Sequence, residues 1–190
     1  YGMLSQLFIK YKFHNLISMR KGMFFNKVGG SSLPLANIIS AWQMEDNAND
    51  SVSTNNGVAT NTTYITGKVD KCADFSSATT SGIEVAHSTD FDFGNGSTDV
   101  PFSVSCYVYF DALGTPFFVS SYPNNTTRGW RFWASSSSKL NFQLFDTATG
   151  GNIYAQVVIT WATSTWYHIV GTYDGSKSQF GLNLFANGSL

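Results

Sequence analysis

Several short runs of the chain alternate apolar and polar residues. In the run 102–109 the even-numbered positions, beginning with Phe102 and Val104, are apolar, and the odd-numbered ones are Ser or Tyr. The same period of two returns in the runs 140–145 and 182–185. Successive side chains of a β-strand point to opposite sides of the sheet, so this period predicts strands with one buried face.

Clusters of glycine, asparagine, aspartate and proline separate these runs. They lie at residues 93–97, 122–125, 149–152, 173–176 and 187–188. Such residues favour turns, because Gly and Asn tolerate a positive φ and Pro fixes its own φ. Many short strands at this spacing predict an all-β protein, an antiparallel sandwich of two sheets with its core between them.

The first part of the chain has a different pattern. Residues 1–27 contain five Lys or Arg and no acid, whereas residues 28–190 contain six bases and twelve acids. Four apolar residues in this part have the spacing of one face of a short amphipathic helix; they are Leu4, Leu7, Phe8 and Tyr11.

A stretch rich in glycine and serine, residues 29–32, follows the basic part and favours a flexible linker. We therefore expect residues 1–35 to form a basic N-terminal extension, irregular or helical, with a linker. Residues 36–190 are expected to form the sandwich domain. Met19 is an alternative start of the chain, and in that case residues 1–18 would not be native protein.

Composition excludes some classes of function. Only 12% of the residues are charged and the net charge is −1, so no basic surface for nucleic acid is expected. No apolar run reaches the ~18 residues that span a bilayer, and no transmembrane segment is expected. Cys72 and Cys106 are expected to be small buried side chains. A disulfide between them stays open, because the sequence does not give their separation.

Five blocks carry a resemblance to a known family. They are the segments 41–46, 67–75, 101–108, 166–175 and 182–188. In this order they resemble the laminin-G-like jelly roll of the concanavalin A-like lectin and glucanase superfamily. The resemblance implies a concanavalin A-like jelly roll over residues 36–190. Because the family continues with further strands, it also implies a domain that is incomplete at its C-terminus.

The glucanases of this fold carry two or three carboxylates close together on one strand. Glycoside hydrolysis needs them as an acid and as a nucleophile or base. Glu45 and Glu84 are the two glutamates of the chain, and neither lies in an E-x-D-x-E pattern. We therefore expect no enzymatic activity, and glycoside hydrolysis is the weakest alternative. His168, in a predicted strand, is expected to be a hydrogen-bonded structural residue.

The outward positions of the predicted strands carry aromatic rings and amides. Sugar rings stack their C–H faces on aromatic side chains, and their hydroxyls bond to amides and arginine. The candidate ligand-binding residues are Tyr107, Tyr109, Arg131, Trp133, Gln143, Phe145 and Phe185. The alternative is that these rings pack across strands or against an adjoining domain.

Acidic and amide side chains crowd the segment 45–50. Calcium takes hard oxygen ligands from loops, so the segment predicts a calcium site centred on Asp46 and Asp50. The alternative is a solvated acidic loop, since the spacing differs from that of a calcium-binding loop motif.

These observations favour a non-enzymatic binding or adhesion module. Its expected partner is a glycan or a surface protein, and carbohydrate binding is the leading hypothesis. A structural or protein-docking domain of a fibre or capsid is the alternative. The expected setting is a larger secreted, cell-surface or virion protein with additional domains.

Overall fold

The protein consists of thirteen β-strands and two short 3₁₀ turns, 89–91 and 179–181, in the residues that the computed structural model describes. These residues are 38–75, 81–95, 97–113, 117–121, 129–136, 138–146 and 151–189, with the backbone of 11–20. The first seven strands are β1 (Tyr11–Arg20), β2 (Ile38–Trp42), β3 (Gly57–Thr60), β4 (Thr62–Thr66), β5 (Lys71–Phe75), β6 (Gly82–Val85) and β7 (Phe102–Phe110). The others are β8 (Phe117–Ser121), β9 (Gly129–Ser136), β10 (Lys139–Asp146), β11 (Gly151–Val158), β12 (Trp166–Tyr173) and β13 (Leu182–Ala186).

The strands form two larger antiparallel sheets and a two-stranded ribbon. The main sheet has the order β13-β12-β7-β1-β5-β4, and β2 also pairs with β1. The second sheet has the order β11-β10-β9-β8, and the ribbon is β3-β6. Neighbours such as β12 and β7 are far apart in sequence, so the sheets are assembled from non-local pairs. The all-β fold class is confirmed, and the architecture is consistent with a jelly-roll sandwich.

The core lies between the main sheet and the second sheet. On β7 every second side chain, from Phe102 to Phe110, is at most 2% exposed. Phe132 and Phe142 face them from the second sheet and are fully buried. Gly171 of β12 lies so close to Phe142 that a Cβ atom there would be 3.0 Å from the ring. The two layers therefore pack directly on each other, as the alternating pattern predicts.

The N-terminal segment differs from the prediction. Tyr11–Arg20 is a strand, β1, that pairs with β7 on one side and with β2 and β5 on the other. The expectation of an irregular or helical extension is wrong for these ten residues. Pairing on both sides satisfies the backbone N–H and C=O groups of this segment, and that favours a strand over a short helix.

The rest of the predicted extension stays a prediction. Leu4, Leu7 and Phe8 of the expected helix lie outside the described residues, and so does the predicted linker. The predicted boundary between residues 35 and 36 is likewise not tested.

Both cysteines are buried and neither forms a disulfide. Cys106 points into the core from β7, and burial raises the pKa of its thiol. Cys72 on β5 is fully buried as well, and its thiol lies 3.7 Å from the backbone oxygen of Thr66. The prediction that both are small buried side chains is confirmed.

Candidate functional site

The seven predicted ligand-binding residues lie on two different outer faces of the sandwich. Four of them share the outer face of the second sheet, and we call this face the platform; they are Arg131, Trp133, Gln143 and Phe145. The other three share the outer face of the main sheet; they are Tyr107, Tyr109 and Phe185. The core separates the two groups, so the seven residues do not form one site.

The platform is built by directly opposed residues of β9, β10 and β11. Gln143 of β10 is opposite Arg131 on one side and Tyr154 on the other. Two residues earlier on β10, Asn141 is opposite Trp133 of β9 and Gln156 of β11. Opposed residues of antiparallel strands point to the same face, so these rows place rings and amides side by side.

A series of hydrogen bonds between side chains crosses the platform. Arg131 Nε donates to Gln143 Oε1 at 2.9 Å, and Gln143 Nε2 donates to Asn152 Oδ1 at 3.0 Å. In the neighbouring row, Gln156 Nε2 donates to Asn141 Oδ1 at 2.6 Å. Asn141 is only 2% exposed although it faces outward, because the surrounding side chains cover it. The hydrogen bonds satisfy its buried amide and fix the geometry of the face.

The guanidinium of Arg131 contacts two aromatic rings of the platform. Its central carbon lies 4.4 Å from the centroid of the Trp133 ring and 4.8 Å from that of Phe145. These distances are within the range of a cation–π interaction. The planar guanidinium therefore holds both rings in place and adds a positive charge between them.

The outer face of the main sheet carries a second group of rings. Tyr107 and His168 stack with centroids 4.6 Å apart, and Tyr109 and Trp166 lie 5.2 Å apart. Phe185 on β13 is half-buried and opposite Val170, which is only 5% exposed. These contacts are cross-strand pairs of the kind that stabilise a sheet. They match the alternative reading, in which outward rings pack across strands.

His168 forms a hydrogen bond within this second group. Its Nε2 lies 2.8 Å from Ser105 Oγ, so the prediction of a hydrogen-bonded histidine is confirmed. Burial lowers the pKa of His168, because the charged imidazolium would lose its hydration. In the described residues no carboxylate is within salt-bridge distance of His168. Within this part of the chain, the pair therefore has no acidic third member of a Ser-His-Asp triad.

A family model decides the identity of the fold. The family described as the concanavalin A-like lectin/glucanases superfamily matches residues 77–190 of this chain. This region contains β7 to β13 and therefore the whole platform. The chain belongs to this superfamily. No curated protein and no solved structure matches the chain in the corresponding comparisons.

Membership in the superfamily supports a lectin-like or other binding module in general. Such laminin-G-like domains are typically non-enzymatic and usually occur in extracellular proteins, although the superfamily includes some glycosidases. Among the described residues, no helix is long and apolar enough to cross a membrane.

The superfamily includes glucanases, so the positions of the two glutamates matter. Both carboxylate oxygens of Glu45 lie 3.2 Å from the backbone N–H of Lys71. Glu84 is exposed on β6 of the ribbon. The glutamates are therefore on different elements, unlike the closely spaced carboxylates that glycoside hydrolysis uses.

The acidic segment 45–50 has structural roles in the fold. Asp50 Oδ1 accepts hydrogen bonds from the backbone N–H groups of Ala41 and Val52, each at 3.0 Å. Burial opposes ionisation of Asp50, but these two hydrogen bonds, together with those from Ser40 and Ser53, outweigh it and lower its pKa. Asp46 pairs instead with the ammonium group of Lys71.

Asp46 and Asp50 therefore have different partners. In the described residues no group of three or more His, Cys, Asp or Glu side chains could hold a metal ion. The calcium site predicted at these two residues stays a prediction, without support from this geometry.

Some platform residues were missed by the sequence reasoning. Four further residues lie on the platform beside the four predicted ones; they are Asn141, Asn152, Tyr154 and Gln156. Tyr154 is 53% exposed. Period-two parity along β10 places Asn141 with Gln143, so that signal was present. The turn cluster at 149–152 and the alternation of Ile153, Ala155 and Val157 with Tyr154 and Gln156 are signals of a hairpin between β10 and β11. They were not used, and the three β11 residues depend on that pairing.

Proposed function

We propose that this domain is a non-enzymatic carbohydrate-binding module whose ligand lies on the platform of the second sheet. The observation that carries the proposal is the stack of the Arg131 guanidinium on Trp133 and Phe145, tied through Gln143 to Asn152. It combines flat apolar surfaces with fixed polar groups in one place. Membership in a superfamily named for lectins and glucanases supports the same class of ligand.

The chemistry of the platform suits a sugar chain better than a peptide or a lipid. Pyranose rings have apolar C–H faces and a rim of hydroxyls, which match rings and amides that alternate in rows. The platform already has fixed side chains, so little entropy is lost when a ligand binds. The positive charge of Arg131 is compatible with neutral or anionic glycans.

A glycan array with purified variants tests the proposal. Trp133→Ala is expected to weaken binding by about tenfold or more, because an aromatic contact and the support of the guanidinium are both lost. Arg131→Lys keeps the charge and loses the planar stack, so it is expected to weaken binding as well. Circular dichroism and the thermal midpoint check that each variant is folded.

The matched control lies on the other face of the sandwich. Tyr107→Ala also removes a half-buried ring from an outward strand position, but on the main sheet. It is expected to leave glycan binding unchanged. Equal loss of binding in Trp133→Ala and Tyr107→Ala would contradict the platform as the site. If no glycan binds the unaltered protein, the alternative of a structural or protein-docking domain is favoured.

The setting of the domain belongs to the same proposal. A glycan-binding module of this superfamily fits an adhesion role in a secreted, cell-surface or virion protein with additional domains. The usual extracellular occurrence of laminin-G-like domains supports it.

A further inference from the structure

A cavity of about 310 Å³ lies at one end of the sandwich. It is bounded by the start of β7 at Phe102, the end of β12 at Tyr173, the start of β9 at Trp130 and the segment 91–94. Its volume is at the lower end of the roughly 300–1,000 Å³ that small-molecule sites occupy. We call it the end cavity.

Buried aromatic rings form the apolar wall of the end cavity. Phe102, Tyr173 and Trp130 are 2%, 3% and 7% exposed. Phe93 stacks on Phe102 with centroids 4.0 Å apart and planes 10° apart, and Trp130 and Tyr173 lie 5.8 and 5.9 Å from Phe102. These contacts fix the rings against one another. The wall is therefore formed before any ligand arrives.

Hydrogen bonds also hold polar groups of the lining in place. The Tyr173 hydroxyl donates to Asp99 Oδ2 at 2.6 Å and accepts from the backbone N–H of Lys177 at 2.8 Å. The Lys177 ammonium donates to the backbone oxygen of Ser97 at 2.6 Å. Burial, with the hydrogen bond to Asp99, raises the pKa of Tyr173, so its phenol stays protonated and keeps this arrangement.

Carboxylates outnumber ammonium groups among the lining residues that the structure describes. These residues include Asp92, Asp99 and Lys177, and Asp92 Oδ1 also lies 3.4 Å from His87 Nε2. Carboxylates accept hydrogen bonds from ligand hydroxyls and repel an anionic ligand at short range. A lining with these carboxylates is expected to favour neutral sugars over anionic ones.

We propose that the end cavity binds one neutral pyranose residue, beside the aromatic wall and with its hydroxyls towards Asp92 and Asp99. This is a second binding site, and it goes beyond the platform of the proposed function. The two sites are adjacent, since Phe145 and Asn152 line the cavity and also belong to the platform. Sugars that carry a carboxylate are expected to be excluded.

The test follows the indole N–H resonances of the intact protein by ¹H–¹⁵N NMR. Three tryptophans act as separate reporters, namely Trp130 in the cavity wall, Trp133 on the platform and Trp161 in the core. Trp161 is the internal control, because it is as buried as Trp130 and packs on Phe110 and Tyr167 without lining the cavity. Phenylalanine variants assign the three resonances.

The probes are the methyl pyranosides of glucose, galactose and mannose, with methyl glucuronide as the anionic counterpart. At least one neutral glycoside is expected to shift the Trp130 resonance in a saturable way, while the Trp161 resonance does not shift. Glucuronide is expected to bind at least about fivefold more weakly, because it meets the two carboxylates. Asp99→Asn keeps a hydrogen-bond acceptor and is expected to reduce this discrimination.

A variant that fills the cavity provides the second measurement. Ser121 lines the cavity at the end of β8, so Ser121→Phe is expected to weaken glycoside binding by about tenfold or more. Thr163→Phe places the same ring in an exposed turn just before β12, at the opposite end of that strand from Tyr173. It is expected to bind like the unaltered protein.

Several outcomes would overturn the proposal. They are a Trp130 resonance that no neutral glycoside moves, a Trp161 resonance that moves together with Trp130, and a folded Ser121→Phe protein that binds normally. A glycan that shifts Trp133 alone overturns the end cavity and leaves the platform intact. A glycoside that shifts Trp130 alone supports the end cavity and contradicts the platform as the site. The test therefore distinguishes failure of one proposal from failure of the other.

Discussion

At the scale of the residue, burial decides the chemistry of His168. Its ring stacks on Tyr107, and its Nε2 lies 2.8 Å from Ser105 Oγ. The surrounding sheet removes water from the imidazole, and this desolvation lowers its pKa from the usual 6.5. The residue is therefore neutral in the folded protein over most of the physiological range.

This shift predicts a dependence of stability on pH. The unfolded chain binds a proton at His168 more readily than the folded protein, so stability rises with pH wherever the two differ. The free energy of unfolding is expected to fall as the pH drops below about 6.5. The loss continues down to the lowered pKa of the folded state and stops there.

Urea unfolding between about pH 7.5 and pH 5 measures this contribution by comparison with His168→Gln. The variant lacks the titrating group, so the difference between the two proteins is expected to shrink as the pH falls. A difference that is constant across this range would show that His168 has the same pKa in both states.

At the scale of the element, β1 completes the main sheet. It pairs along β7 from Tyr11 to Arg20, with a register shift between His14 and Ile17. Its other edge pairs with β5 at Lys12 and Phe13 and with β2 further along. Without β1, the backbone groups of β7 on that side would lose their partners.

A truncation tests the importance of this strand. A chain that begins at Met19 lacks most of β1, and it is expected to be markedly less stable or unable to fold. The thermal midpoint and amide hydrogen exchange at Val104 and Val108 of β7 measure the effect. A chain that lacks only residues 1–10 retains β1 and is the matched control. Unchanged exchange at β7 in the longer truncation would show that β1 does not protect that strand.

At the scale of the whole molecule, the core insulates the two outer faces from each other. Packed sheets are ~10 Å apart, so residues on opposite outer faces share no partners. Arg131 is on one face and His168 on the other, with the fully buried Phe132, Phe142 and Ile169 between the sheets.

The two faces are therefore expected to be energetically independent. The stability changes of Arg131→Ala and His168→Gln are expected to add within about 0.5 kcal/mol in the double variant. Urea unfolding of the four proteins at neutral pH forms the double-mutant cycle. A larger coupling energy would show that the sheets transmit strain across the core.

Much of the fold was readable from local pattern. The alternation from Phe102 to Tyr109 predicts β7 with the correct face buried, and the runs at 140–145 and 182–185 predict β10 and β13. β1 was missed although Tyr11, Phe13, Ile17 and Met19 are apolar. The helical spacing of Leu4, Leu7, Phe8 and Tyr11 and the basic charge of the segment favoured an extension instead.

The candidate site was readable only in part. Parity correctly placed Arg131 and Trp133 outward on β9, and Tyr107 and Tyr109 outward on β7. It could not separate them onto two sheets, because strand order depends on pairings between distant segments. The end cavity was not predicted at all, since its lining comes from several separate parts of the chain.

The sequence by itself determined the all-β class, the buried and outward positions of β7, β9, β10 and β13, and the family. These depend on side-chain period and on short blocks, and both are local properties of the chain. Tertiary structure alone decided the place of β1, the division of the rings between two faces, and the cavity. Each of these depends on which distant strands become neighbours, and hydrophobic alternation carries no information about that choice.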